Sequence, residues 1–221
     1  MNAVYEGPDD LPAVIPVFPL GGALLLPRGR MPLNIFEPRY LAMVDYALGK
    51  DRVIGIIQPD TSSPSADKPK LYGVGCAGRI VQFAETGDGR YIVALAGISR
   101  FALEEELPTP RPYRLCRVSY EPYADDFHSG SGEDFVDREA VLAALRKFTD
   151  ATGVSFDWDN VAQASNEALV NALSMLAPFG GREKQALLQA PDLKTRAETL
   201  VALTEIELAR GGSSSSPTIL Q

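Results

Sequence analysis

The sequence predicts an α+β fold, a small β-barrel or sandwich followed by a helical half. Between Ala13 and Tyr120 the apolar residues come in short runs, some alternating in period 2, separated by Gly- and Pro-rich turns. From Asp137 onward apolar residues recur at three- and four-residue spacing instead. The charge changes near the same point. Residues 1–122 carry 13 Lys and Arg against 14 Asp and Glu, whereas residues 123–221 carry 8 against 15, so almost all of the net charge of −8 belongs to the second half. These observations divide the chain into a strand-rich region 1–122, a helical region 123–210 and a Ser-rich tail 211–221 expected to be disordered.

After a polar leader, Ala13 to Phe18 reads as a strand. Pro16 and Pro19 cannot donate to a ladder, so it is expected at an edge or irregular. Gly21-Gly22 turns the chain, and Ala23 to Leu26 is a second apolar segment, broken by Pro27 to Arg30. Pro38 fits the first position of a helix, with Tyr40, Leu41, Val44 and Leu48 on one face and Gly49 as its stop. Arg52 to Gln58 is a buried-type strand, and Pro59 to Lys70 a Pro/Ser/Asp loop expected to be mobile. Tyr72 to Glu85 is a Gly-containing strand of the kind that bulges in barrels. Gly87-Asp88-Gly89 turns it into Tyr91–Ala96, then Gly97 as a break, then Ser99–Glu105. Tyr113 to Tyr120 is the last strand, and Tyr123 to Asp134 an acidic linker. Helices follow over Asp137–Thr152, Ser165–Leu176, Arg182–Gln189 and from Asp192 to Arg210; Ser165 caps its helix without the full capping box.

Two cysteines, Cys76 and Cys116, are too few for a disulfide framework or a zinc site, and a reducing cytoplasm is the expected compartment. The N-terminus is acidic rather than basic, unlike a secretory signal, and Pro16, Pro19, Pro27 and Pro32 cut the longest apolar stretch, so no membrane span is expected. Net acidity disfavours general nucleic-acid binding. The only Gly-Lys pair, Gly49-Lys50, precedes Asp51, so no phosphate-cradling loop is expected. His128 lacks a triad context, and Asp125, Asp126, His128, Glu133 and Asp134 read as a solvated linker rather than a metal site. Glu104-Glu105-Glu106 reads as an exposed strand end and Cys76 as a core residue. No catalytic residue, cofactor or metal ligand is expected.

Four blocks in order carry a family resemblance. Pro16-Val17-Phe18-Pro19-Leu20 is followed by Pro27, and Pro32-Leu33 by Ile35-Phe36-Glu37-Pro38-Arg39-Tyr40. Tyr72 to Ala77, the Gly87–Gly89 turn and Ala96 to Phe101 form the third, and Lys184 to Gln189 with Asp192 to Arg196 the fourth. Over roughly residues 13–208 the chain resembles the N-terminal substrate-binding domain of the Lon ATP-dependent proteases, in stand-alone form. The resemblance implies a PUA-like pseudo-barrel followed by a helical bundle. It also implies a non-enzymatic role, engaging unfolded or tagged polypeptides for a protease motor or chaperone, without the ATPase and Ser-Lys peptidase domains.

The Phe36–Tyr40 block has two readings. It is architectural, holding the helix to the barrel, or it helps form a groove for extended apolar peptides with Leu20, Leu33, Phe36, Glu37, Arg39 and Tyr40 as contacts. An edge strand, with the proline-interrupted first strand as the candidate, would add main-chain hydrogen bonds. Two other readings are an RNA-binding barrel, in which Arg28, Arg30, Arg39, Arg79, Arg90, Arg100, Arg111, Arg114 and Arg117 cluster, and an unrecognised hydrolase or ligand-binding protein.

Overall fold

The computed structural model describes residues 4–60, 68–153 and 157–213, so the tail from 214 and most of the 59–70 loop lie outside the described residues. The strands are β1 (Val14–Pro19), β2 (Arg30–Ile35), β3 (Val53–Pro59), β4 (Leu71–Glu85), β5 (Tyr91–Leu107) and β6 (Arg114–Ser119), and α1 (Pro38–Leu48) lies between β2 and β3. Two 3-10 turns, Glu121–Phe127 and Glu133–Phe135, lead to α2 (Arg138–Thr152), α3 (Trp158–Gln163), α4 (Asn166–Leu176), α5 (Gly181–Gln189) and α6 (Leu193–Ser213). The chain is α+β, as its two periodicities predict.

The strands run in the order β2-β5-β4-β3-β1-β6, and β6 also pairs with β5. That last pairing closes a five-stranded ring, β5-β4-β3-β1-β6. It is possible because β5 is 17 residues long. Its first part, Tyr91–Ala96, takes β2, and its last part, Ala102–Leu107, takes β6 on the same edge.

The expected break at Gly97 is a bulge within one strand. Ala77 pairs with Ser99 and Gly78 with Gly97, so Ile98 is the extra residue. The glycines there admit the Leu24–Leu26 segment, which crosses close over the sheet. A Cβ on Gly97 would fall on the Leu26 carbonyl, and one on Gly78 would meet the Leu25 side chain. That segment is not a strand, yet its three leucines are at most 2% exposed.

The expectation that the first strand is an edge is corrected. β1 pairs in parallel with β3 and antiparallel with β6. Its prolines are tolerated because the two ladders are staggered: Pro16 precedes the β3 ladder, which starts at Val17, and Pro19 lies beyond the β6 ladder, which ends at Val17. The free edge belongs to β2. Gly97 donates to the Gly29 carbonyl, and counting by twos from that bond turns the Pro32 nitrogen to the outer side, where a missing donor breaks no ladder bond.

The helical half starts with capped helices. Asp137 accepts from the Ala140 amide at 3.0 Å, Ser165 from Ala168 at 3.2 Å, and Asp157 caps the short α3, which periodicity alone does not predict. The principal core runs through both halves, from Phe18, Leu25 and Val44 to Val170, Leu187 and Leu200.

The acidic linker is ordered, correcting the solvated reading at Asp126 in particular. Asp126 is 7% exposed and takes a fork from Arg100, with Nε at 2.8 Å and Nη2 at 2.7 Å. Arg100 Nη1 donates onward to the Leu188 and Ala190 carbonyls at the end of α5. Arg28 pairs with Glu167 and donates to the Asp126 carbonyl, while Gln58 donates to the Gly181 carbonyl at 2.8 Å. Strand half and helical half are thereby joined by charge as well as by apolar packing. Both cysteines are free and buried in different clusters, Cys76 in the principal core and Cys116 in the cluster with Phe101 and Val118.

Candidate functional site

Ile35 ends β2 and Pro38 starts α1, so Phe36 and Glu37 make the corner between them. Phe36 projects into solvent, 63% exposed. Glu37 occupies the helix N-cap but makes no side-chain cap; its carboxylate accepts from Arg39 Nε at 2.9 Å and lies 2.7 Å from Nη2. The Arg39 guanidinium covers the Tyr40 ring at 4.6 Å, and Tyr40 packs beneath it on Phe18 with centroids 4.1 Å apart. Burial raises the Tyr40 pKa, with the Arg39 charge opposing it. Leu20 and Leu33 are half-buried against the principal core. The six residues therefore do not form one patch: Arg39 and Tyr40 line a cleft, Leu20 and Leu33 pack inward, Phe36 stands apart and Glu37 holds Arg39.

That cleft, about 540 Å³, opens at one end of the ring. The pairing directions bring together there the last residues of β1, β3 and β5 and the first of β4 and β6. A proline stops or precedes each ladder: Pro19 ends β1, Pro59 ends β3, Pro69 precedes β4, Pro108 follows β5 and Pro112 precedes β6. A residue without an N–H marks the end of pairing, so five chain ends place five proline rings around one mouth. Tyr40 and Tyr113 lie among them.

The charge in the mouth is one-sided. Among the described residues, Arg39, Lys68, Arg111 and Arg114 line it against a single carboxylate, Glu106. Lys68 and Arg114 both pair with Glu106. Partial burial opposes ionisation of Glu106, but hydrogen bonds from Arg114 and Lys68 outweigh it and hold its pKa below the ordinary value. The expectation of an exposed strand end therefore fits Glu104 and Glu105 but not Glu106. Arg111 lies 4.5 Å over the Tyr46 ring and donates to the Tyr113 hydroxyl at 3.1 Å. Among the described residues it forms no ion pair with a carboxylate.

Of the nine arginines that the RNA reading gathers, only Arg39, Arg111 and Arg114 meet here. Arg28, Arg90, Arg100 and Arg117 are paired with Glu167, Asp88, Asp126 and Glu105, and Arg79 donates to Tyr5. Among the described residues no cluster of His, Cys, Asp or Glu is arranged to hold a metal, and no helix is long and apolar enough to cross a membrane.

A second concavity, about 410 Å³, lies between α2, α4 and α6 and is almost wholly apolar, with Phe148, Leu173, Leu176 and Val201 in its walls. Its hydroxyl, on Thr204, is engaged by the Leu200 carbonyl at 2.8 Å. An extended peptide laid there would find few partners for its amides, whereas the barrel mouth offers guanidinium donors.

The profile of the ATP-dependent protease La (LON) substrate-binding domain matches residues 14–205. The chain belongs to that family. Lon protease 2 of Sorangium cellulosum is 29% identical over 211 residues, covering 88% of this chain and 25% of its own. Lon protease 2 of Myxococcus xanthus is 26% identical, covering 88% and 24%. The chain thus spans about a quarter of the length of these curated relatives. Among solved structures, a Lon N-terminal domain protein from Xanthomonas campestris matches with a TM-score of 0.61 at 22% identity, covering 86% of this chain and 97% of that one. The N-terminal domain of Mycobacterium avium complex Lon protease gives 0.64 at 18% identity, covering 87% and 98%. These two likenesses establish the Lon N-terminal fold, the α+β barrel and bundle that the motifs imply.

Proposed function

We propose that this chain is a non-catalytic polypeptide-binding module of the Lon substrate-binding type, and that the proline-rimmed mouth of its barrel receives extended segments of unfolded clients. The observation that supports this most is the convergence of five strand ends, five prolines and two tyrosines around a cleft that also holds Arg111, which among the described residues has no carboxylate partner. Proline rings, backed by the buried Tyr40 and Tyr113, give apolar surface to client side chains, while arginine N–H groups meet the carbonyls that an extended chain leaves unpaired. Tyr40 and Arg39 contact the client, and Glu37 positions Arg39. Leu20 and Leu33 pack into the core behind the barrel, and Phe36 stands outside the cleft. In this reading the module hands clients to a protease motor or chaperone and performs no chemistry itself.

A cleft of this size takes a few residues, so affinity per site is expected to be on the order of micromolar. Fluorescence anisotropy with a chemically unfolded, labelled model polypeptide tests the reading. Saturable binding in the micromolar range, competed by unlabelled unfolded chain but not by its folded form, supports it. No binding up to high micromolar concentration overturns it.

A further inference from the structure

We infer that the barrel mouth selects acidic clients, segments in which an apolar or aromatic residue is flanked by carboxylates. This rests on the reading of the mouth as the polypeptide site. The charge around the mouth opposes that of the protein. A chain of net charge −8 places four cations and one carboxylate among the described residues lining this cleft.

Arg111 is the residue best placed to read a client carboxylate. It is exposed, yet its guanidinium is held by Tyr46 on one side and by the Tyr113 hydroxyl, so its orientation is fixed before a ligand arrives. The planar guanidinium offers paired donors that match a carboxylate. Arg39 adds a second exposed cation, shared with Glu37. Glu106 is already taken by Lys68 and Arg114, so it does not cancel the other two.

The proline rings set the second half of the preference. They present apolar edges without N–H donors, and with Tyr40 and Tyr113 they favour an apolar side chain between the charges. A lysine-flanked segment would instead bring like charges to Arg39 and Arg111. Two exposed carboxylate contacts should together give about a tenfold preference, fading as salt screens them.

The test uses the full chain and three labelled twelve-residue peptides with one apolar centre and four flanking Glu, Gln or Lys residues, followed by anisotropy at low and high salt. The expected order is Glu over Gln over Lys, with about tenfold between the first two at low salt and near equality at about 1 M. Arg111→Glu should reverse the order in favour of the Lys peptide, a gain that a misfolded variant cannot produce. If all three peptides bind equally, the preference is wrong while polypeptide binding stands. Were none to bind, the underlying reading itself would fall. An R111E protein with the wild-type order overturns the assignment of Arg111. So does a single-stranded oligouridylate that binds more tightly than the Glu peptide and displaces it, since the mouth would then be a nucleic-acid site.

Discussion

Replacing Asp126 by Asn tests the join between the strand and helical halves. The Asp126 and Arg100 side chains are 8% and 5% exposed, and the carboxylate takes two guanidinium bonds and the Arg100 amide at 2.9 Å. Asparagine keeps the shape but turns one acceptor into a donor and leaves the guanidinium charge buried without a counter-ion. Breaking a buried pair from one side costs about 3–5 kcal/mol. For a chain of this length that lowers the melting temperature by about 6–20 °C. Urea unfolding followed by circular dichroism and by the fluorescence of Trp158, the single tryptophan, measures the loss; the midpoint should fall with little change in slope. The paired replacement Arg100→Met with Asp126→Leu should recover only part of it. It removes both charges but also the donor to the Leu188 and Ala190 carbonyls, each of which costs about 1–3 kcal/mol when left bare. A D126N protein within about 0.5 kcal/mol of wild type would refute the view of this pair as a buried clamp.

Three further outcomes follow from the same geometry. Burial pushes the Cys116 thiol up to about 11 and Cys76 higher still, so neither should react with a thiol reagent at pH 8 until the protein unfolds; prompt labelling of either in native buffer contradicts the core assignment. Glu106 has a lowered folded-state pKa, so its stabilisation is present above the ordinary glutamate value of about 4.3 and is lost as pH falls through the folded value. Glu106→Gln should therefore melt below wild type at pH 7, with the gap narrowing as pH falls toward about 3, and an unchanged gap across that range would contradict the pairing. Phe36 is 63% exposed and does not line the cleft, so Phe36→Ser should alter stability by less than about 0.5 kcal/mol and peptide affinity by less than about twofold. A tenfold loss of affinity would extend the client site onto that corner.

The fold was legible wherever local chemistry decides it. Pro38 and Gly49 bracket α1, Ser165 and Asp137 cap their helices, and the alternation before Tyr120 marks β6. Position in the sheet was not legible in the prolines of β1, because ladder stagger, a tertiary property, determines whether a missing N–H matters. β2 was missed for a related reason. Its sequence, Arg-Met-Pro-Leu-Asn-Ile, carries a proline at an outward position that no local pattern distinguishes from a break. Asp126 looked like any linker acid until the fold brought Arg100 to it across 26 residues. The cleft was half visible: Arg39 and Tyr40 stand in the motif, whereas Lys68, Glu106, Arg111, Tyr113 and Arg114 come from strand ends and the loops beside them, which only ring closure assembles. The usable signal was a proline at each strand end, which acquires meaning only when those ends share one mouth.

Hydrogen–deuterium exchange of the full chain with and without a saturating unfolded polypeptide tests the central claim most directly. The account predicts slower exchange over residues 106–114 and over the first turn of α1, with little change elsewhere. Protection confined to α2, α4 and α6, around the apolar groove, would contradict it.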